Sequence, residues 1–222
     1  MWSNAFQGVA ELGTSYNDMN TQQLSRSEQK RAQILEAAIE LFCAQGFPNT
    51  SMDEVAKTAG VSKQTVYAHF GCKDELFVAA IESKCVVRQI AEVLLADAAR
   101  PEQALAVFAE YFGELIVSED AITVYRACVS QVDTHPEPAQ LYFDAGPEYM
   151  LGLLVDFFTQ VERHGGYYFG NKRQAAVRLS LMLFGELRLR KELGLDTGQL
   201  EAQHRDYCIE TAGLFLKAHR LE

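Results

Sequence analysis

Apolar residues recur along almost the whole chain with the period of an α-helix. Spacings of three and four residues place such side chains on one face of a helix. Strands instead alternate apolar and polar residues, and no segment of any length does so. We therefore predict an all-α fold. The segments with helical spacing outside the first hundred residues are 101–117, 120–132, 148–163, 172–193 and 199–218.

Several shorter helices are predicted between residues 27 and 84. The first runs over residues 27–46 and ends at Gly46. Ser51 followed by Glu54 has the pattern of a capping box and opens a helix of barely two turns. Ser62 can cap the next helix, which runs to Phe70, and a longer helix follows. Short helices with such brief connections have to cross each other closely.

The second and third of these helices have the spacing of a helix-turn-helix. Ala56 is small enough for a close helix crossing, and Gly60 can take positive φ in the turn. Val61 and Val66 supply two apolar contacts beneath the turn. An ordinary helical hairpin, with these residues placed by chance, is the alternative reading.

Composition narrows the class of protein. The chain has 222 residues, of which 48% are hydrophobic and 23% charged. It shows no apolar run long enough to span a membrane and no secretory signal at its start, so we expect a cytoplasmic location without a membrane partner. Its five cysteines include no CxxC pair, which indicates reduced thiols and no zinc module.

The stretch "ILEAAIELFCAQGFPNTSMDEVAKTAGVSKQTVYAHFGCKDEL" resembles the TetR/AcrR transcriptional regulators. The resemblance implies an N-terminal three-helix helix-turn-helix domain that binds DNA and a C-terminal helical domain for ligand binding and dimerisation. We accordingly expect a tail over 1–26, the DNA-binding domain over 27–72 and the C-terminal domain over 73–222, with a linking helix over 73–98. The segment "VYRACVSQVDTHPEPAQLYFDAGPEYML" resembles the ligand domain of an AcrR-like subgroup.

The same resemblance assigns the DNA contacts. Lys63 and Gln64 are the expected base readers, since lysine can reach guanine O6 and N7 and glutamine can pair with adenine. Thr65 lies on the same exposed face. Ser51 and Ser62 are expected to start helices whose N–H groups favour an anion. The expected phosphate contacts are Thr50, Tyr67, His69 and Lys73.

Two residues depart from the family pattern. Gln64 stands where many members have glycine, so a side chain can replace backbone contacts there. Cys72 stands where the family often has a capping serine. Because a thiol caps poorly, the helix that carries Lys73 is expected to start less firmly, and a redox role for Cys72 stays open.

The charge distribution bears on how such a protein would hold DNA. The formal net charge is -10, but residues 26–84 carry only -1 and residues 85–222 carry -7. An acidic protein is expected to bind DNA weakly unless it makes specific contacts. We expect this protein to make such contacts as a homodimer on a pseudo-palindromic operator. The expected dimer contacts are Leu179, Leu183, Leu187, Ala212 and Phe215, and the alternative is that these apolar stripes face only the chain's own core.

The middle of the chain is rich in aromatic residues. Most of them belong in the core, but an all-helical domain can also hold an apolar cavity with a few polar groups. We therefore expect an apolar or aromatic small-molecule effector. The expected ligand contacts are Tyr111, Phe112, Tyr125, Arg126, Gln131, Phe143, Tyr149 and Phe157.

Other classes of function are less well supported by the sequence. It contains no nucleophile elbow, phosphate loop, HExxH or dinucleotide fingerprint, so we predict no enzyme, no catalytic residue and no cofactor. His204 and Cys208 are four residues apart and could share a metal, but packing is the simpler reading and we predict no metal site. A helical small-molecule-binding protein without DNA-binding activity is the remaining alternative.

Overall fold

The computed structural model describes residues 25–84, 87–130 and 132–222. Of the predicted tail, residues 1–24 lie outside this part. The described part of the chain opens with four helices, and the first three of them start at serine caps. Their bounds are α1 (Arg26–Asn49), α2 (Met52–Thr58), α3 (Lys63–Phe70) and α4 (Lys73–Lys84).

Serine caps define where the first three helices begin. Ser25, Ser51 and Ser62 each accept a hydrogen bond from the backbone N–H three residues later. Such a bond satisfies one of the N–H groups that lack a partner in the first turn of a helix. The turn between α2 and α3 contains Gly60 at φ +67°, the conformation that favours glycine.

The first helix is interrupted where the sequence predicts its end. Gly46 has φ +79° and ψ +166°, which is not helical, and the three residues after it form a short continuation to Asn49. The Thr50 hydroxyl donates to the Gly46 carbonyl oxygen at 2.9 Å. That oxygen therefore has a partner although the regular helix ends there.

A small apolar core holds these four helices together. Each helix contributes side chains that are fully or almost fully buried: Ile34, Ala38, Val55, Val66, Phe70, Leu76 and Phe77. Because α3 is only two turns long, its place depends on this packing more than on intrinsic helix propensity.

The remaining helices form a larger body. Their bounds are α5 (Val87–Leu94), α6 (Pro101–Ile116), α7 (Glu119–Val129), α8 (Glu137–Phe143), α9 (Tyr149–His164), α10 (Lys172–Leu193) and α11 (Leu200–His219). A π-helical turn, Asp144–Glu148, joins α8 to α9 at the predicted interruption "AGPEY". Helix α11 packs along α6, and α9 packs along α10.

Aromatic stacking closes the end of this body near the C-terminus. Phe158 stacks on Phe169 at 4.3 Å and on Phe215 at 5.4 Å between ring centroids. An isolated antiparallel bridge pairs Tyr167 with Arg220. The loop after α9 is thereby tied to the end of α11.

The two parts of the chain share a core. Cys128 of α7 and Ala145 of the π turn are buried together with the side chains of α1 and α4. Helix α1 packs against α7, and α4 packs against α8 and the π turn. A displacement of α7 or α8 would therefore change the packing of α1 and α4 directly.

Candidate functional site

One face of α3 is polar and exposed, and the opposite face is apolar and buried in the core. Lys63, Gln64 and Tyr67 are exposed, while Val66 and Phe70 point into the core with 0% and 4% of their surface exposed. Thr65 is half-buried, and its hydroxyl lies 2.7 Å from that of Ser62. The structure thus places three expected DNA contacts side by side on one helix.

Lys63 is held by a carboxylate that the sequence argument did not single out. Its Nζ lies 2.7 Å from Oδ1 of Asp53 on α2 and 5.9 Å from the centroid of the Tyr67 ring. The hydrogen bond that Lys63 donates to the Asp53 carboxylate raises the pKa of Lys63 above its usual value. Lys63 is therefore fully protonated at neutral pH, and its ammonium is directed towards α2.

The two helix starts differ in their capacity for an anion. Glu54 Oε2 accepts the Ser51 N–H at 2.9 Å and also the Ser51 hydroxyl at 2.9 Å, and these bonds lower the pKa of Glu54. The Glu54 carboxylate thus takes up the Ser51 N–H itself, and the expectation that this helix start favours a phosphate stays a prediction. The first turn of α3 has no acidic residue.

The position of Thr50 contradicts its expected role as a phosphate contact. Only 2% of its surface is exposed, and its hydroxyl donates to Gly46. The Gln45 amide lies 3.4 Å from the same hydroxyl oxygen. The Thr50 side chain therefore supports the end of α1 and cannot reach a phosphate without leaving the core.

Lys73 and His69 are less accessible for phosphate contacts than the sequence predicted. Lys73 Nζ donates to the carbonyl oxygens of Phe47 at 2.9 Å and Pro48 at 3.4 Å and lies 4.3 Å from the Phe47 ring centroid. His69 is half-buried, with its ring 6.1 Å from that of Phe70. The Lys73 ammonium thus joins the start of α4 to the end of α1.

Arg31 is a basic residue that the sequence argument missed. It is exposed on α1, and its guanidinium carbon lies 5.2 Å from the centroid of the Phe70 ring at the end of α3. An exposed arginine beside the helix-turn-helix is a suitable phosphate contact. Its position in a positively charged stretch of α1 was the available signal.

The expected ligand residues that the structure describes are dispersed between the core and the surface. Phe112 and Phe157 are buried in the larger core, and Tyr111 packs against it. The Tyr149 hydroxyl donates to Glu92, and Phe143 is 43% exposed. Gln131 lies outside the described residues.

Tyr125 and Arg126 belong to a polar junction between α7 and α10. Arg126 donates to the carbonyl oxygens of Glu192 and Lys191. The guanidinium of Arg188 lies 5.1 Å from the Tyr125 ring and 4.9 Å from the Phe184 ring. These contacts fix the middle of α7 to the C-terminal part of α10.

Arg188 is the buried charge of this junction, and the sequence argument did not identify it. Only 3% of its surface is exposed, and it donates to Glu192 Oε1 and to the Ile116 carbonyl oxygen, both at 2.5 Å. A buried charge of this kind requires such partners. In the sequence Arg188 lies among apolar residues with helical spacing, and this pattern does not show whether the arginine itself is buried.

The recesses among the described residues include a narrow crevice and an open cleft. A narrow crevice between α1, α4, α7 and α8 is lined by Phe42, Cys43, Phe47, Phe77, Val124, Ala127, Cys128 and Pro138. An open cleft of about 140 Å³ between α10 and α11 is lined by Gly185, Glu186, Leu187, Leu200, Gln203, His204 and Tyr207. Neither recess contains any of the expected ligand contacts.

The expected dimer contacts require correction. Leu179, Leu183, Leu187, Ala212 and Phe215 are each at most 4% exposed within the single chain. They fill its own core, so they cannot also cover a partner. The same two helices expose other apolar side chains: Val177, Leu181, Met182, Leu189, Leu193, Tyr207 and Leu214.

His204 and Cys208 pack against each other. Cys208 Sγ lies 3.6 Å from His204 Nε2, and both residues are buried beside Gly113. No group of three or more potential metal ligands occurs in the part of the chain that the structure describes. In the same part, no helix is both long and apolar enough to cross a bilayer.

Comparison with known families explains the arrangement. The model of the TetR family of bacterial regulatory proteins matches residues 34–80. The model of the AefR-like transcriptional repressor C-terminal domain matches residues 103–220, more than half of the chain. The chain belongs to the TetR family. Its α2 and α3 are thus the helix-turn-helix of a TetR-family regulator.

Solved structures of the TetR family share the fold over most of the chain. The flavonoid-responsive regulator FrrA is 30% identical, with a TM-score of 0.70 over 87% of this chain and 98% of that one. A TetR-family transcriptional regulator from Mesorhizobium loti MAFF303099 is 25% identical, with a TM-score of 0.72 over 89% of this chain and 100% of that one.

Similarity to curated TetR-family relatives is more local. The regulator RutR from Escherichia coli K12 is 38% identical over 113 residues, which is 51% of this chain and 46% of that protein. The chain spans less than half the length of the curated relatives it matches. These relatives are transcriptional regulators and not enzymes.

Proposed function

We propose that the chain is a ligand-responsive repressor that binds a pseudo-palindromic operator as a homodimer in the cytoplasm. The observation that carries this proposal is the exposed row Lys63, Gln64 and Tyr67 on a short helix anchored by Val66 and Phe70. A helix of this size fits the major groove of B-DNA, where lysine and glutamine read guanine and adenine edges. Arg31 and the start of α3 at Ser62 supply phosphate contacts in this proposal.

The proposed binding mode needs two subunits. One helix-turn-helix makes few contacts, and the acidic remainder of the protein opposes non-specific attraction to phosphates. Two copies related by a two-fold axis double the contacts on half-sites about one helical turn, or a multiple of one, apart. The exposed apolar side chains of α10 and α11 are the proposed seam, in place of the buried residues first expected.

The proposed effector is an apolar or aromatic small molecule. FrrA, which shares the fold at 30% identity, is described as responsive to flavonoids, and flavonoids are aromatic. Tyr125 beside the buried Arg188 offers an aromatic face and a positive charge, the groups that a phenolic ligand would contact. Because these residues are closely packed, such a ligand would have to displace the junction between α7 and α10.

Displacement of that junction gives a route to the DNA. Helix α7 packs on α1, and α8 packs on α4, so a ligand that moves α7 shifts the unit that carries α3. A ligand changes operator affinity only if it binds the two arrangements with different affinity. Coupling of about 1–3 kcal/mol would alter operator affinity roughly 5- to 150-fold.

Selection from a pool of random duplexes tests the DNA-binding part of the proposal. The purified protein should enrich a sequence with two inverted half-sites, and its affinity for that sequence should fall steeply with salt. Failure to retain any duplex at low salt would favour the alternative, a helical small-molecule-binding protein. Native mass spectrometry of the same preparation would then show whether a small molecule is retained.

A further inference from the structure

The ion pair between Asp53 and Lys63 joins the two helices of the helix-turn-helix. Asp53 is the second residue of α2, and Lys63 is the first residue of α3. The atoms Oδ1 and Nζ lie 2.7 Å apart, although the two side chains are 62% and 58% exposed. The pair therefore lies on the surface that the proposed operator would cover, and not in a buried support beneath it.

This pairing changes what Lys63 can offer to a phosphate. A free lysine at this position would attract any phosphate and release counterions on binding. Beside Asp53 its charge is balanced, and a phosphate that approaches the ammonium also meets the carboxylate. The contribution of Lys63 to sequence-independent binding is thereby reduced.

The pair still suits the edge of a base pair. An ammonium group has three N–H donors, so a bond to Asp53 leaves donors for O6 and N7 of guanine. A carboxylate accepts several hydrogen bonds, and one of these can come from N4 of cytosine. A G·C base pair presents both sets of groups in the major groove, whereas a phosphate presents only acceptors.

We propose that Asp53 is a positioning residue that sets the base specificity of this regulator by holding Lys63 away from phosphates and directing it to a G·C base pair. The inference rests on the proposed DNA-binding function. Asp53 acts through Lys63, so the two residues should behave as a unit. Removal of Asp53 should strengthen binding to any duplex while weakening discrimination between duplexes.

The test is a mutant cycle on salt dependence with a fluorescent duplex of scrambled sequence. The proteins are the wild type, Lys63→Ala, Asp53→Asn and the double variant, each shown to be folded by circular dichroism. In the wild-type background Lys63→Ala leaves the Asp53 carboxylate unpaired, so it should weaken binding to the scrambled duplex and should not steepen the slope of log K against log salt. Asp53→Asn should steepen that slope by about 0.9, the value for one added phosphate contact, and the double variant should return it to the wild-type value.

Two further variants separate positioning from a change in charge alone. Asp53→Glu keeps the carboxylate and should preserve the wild-type slope. Asp156→Asn removes an exposed carboxylate on α9, away from the helix-turn-helix, and should also leave the slope unchanged. In selection from random duplexes, Asp53→Asn should reduce the preference for one G·C pair in each half-site by roughly fivefold or more.

The outcomes are distinguishable. Steepening in Asp53→Asn that disappears in the double variant, together with relaxed preference at a G·C position, is the expected result. Equal slopes and equal preferences in the wild type and Asp53→Asn would overturn the inference and leave the proposed function standing. Absence of binding to every duplex by the wild type would overturn both.

Discussion

The Tyr207 hydroxyl of α11 donates a hydrogen bond to the Met182 carbonyl oxygen of α10 at 2.5 Å. It does so beside Gly185, whose φ of +55° interrupts α10. In a regular helix the Met182 oxygen would accept the N–H four residues later. Tyr207 thus supplies a partner where the helix is broken, and it links the two helices that expose the proposed dimer seam.

Substitution of Gly185 tests this arrangement. A Cβ at position 185 would lie 2.9 Å from the Tyr207 ring. Any L-residue there would also have to adopt the positive φ of Gly185, which strains its backbone. Gly185→Ala should therefore lower the free energy of unfolding by about 1–3 kcal/mol. Gly152→Ala is the matched control, because a Cβ there meets nothing within 4 Å, and it should be neutral or stabilising by up to about 1 kcal/mol. Urea unfolding measures both, and equal effects would contradict the role of Gly185.

The dimer seam is tested on exposed leucines. Leu181→Glu and Leu214→Glu place a charge on side chains that are 63% and 62% exposed in the single chain, so the fold should survive and dimers should dissociate. Val93→Glu changes a similarly exposed residue on α5 and should leave dimers intact. Light scattering gives the mass. Dimers that persist in both leucine variants would place the seam elsewhere.

Helical periodicity predicted the fold better than it predicted the dimer contacts. The predicted helix over residues 172–193 agrees with α10. A stripe of apolar residues does not reveal whether it faces the chain's own core or a partner, however, and Leu183 proved to be core. The break at Gly185 also changes which residues face outward, and a lone glycine within a helical pattern gives little sign of it.

The DNA-binding unit was predictable because local signals decide it. Ser51, Ser62 and Gly60 set helix ends through capping and positive φ, which depend on nearby residues only. The roles of Thr50 and Lys73 depend instead on contacts with the end of α1. The Lys63–Asp53 pair likewise joins two helices, and the expected ligand residues were dispersed by packing between distant segments.

Thiol labelling tests burial in both parts of the chain. Cys72 is exposed, whereas burial raises the pKa of Cys128 and of Cys208 to about 11. At pH 8 the ionised fraction of each buried thiol would then be about one-hundredth of that of a thiol with the usual pKa of 9.0. Iodoacetamide followed by peptide mass spectrometry should find Cys72 modified well before the other two. Equal rates in the native protein would contradict their burial.

Tyr167 should make stability sensitive to alkaline pH. Burial, followed by the hydrogen bond to Glu102, raises the pKa of Tyr167 from 10.0 to about 12. Its stabilising contribution is thus complete below pH 10 and is lost as the pH rises towards 12. The loss of the Tyr167 hydrogen bond to Glu102 in Tyr167→Phe should cost about 0.5–1.5 kcal/mol at pH 8, and this difference from the wild type should shrink above pH 10.

The hydrogen bond between Tyr167 and Glu102 should also make stability sensitive to acidic pH. The Tyr167 hydroxyl lowers the pKa of Glu102 below 4.5, so this part of the stabilisation is present above that value and is lost as the pH falls through the lowered pKa. Tyr168→Phe is the control, because Tyr168 is 64% exposed and should show neither dependence. Urea unfolding across the pH range measures each difference. A difference independent of pH would contradict the account of Tyr167.

The measurement that tests the central claim most directly is the base preference of Gln64→Ala. Gln64 is exposed on α3, and the account makes this helix the reader of the operator. In selection from random duplexes, Gln64→Ala should lose preference at one position of each half-site, by about 1–3 kcal/mol, and retain the remaining positions and the half-site spacing. An unchanged preference at every position in a folded Gln64→Ala protein would contradict the reading of DNA by this face of α3.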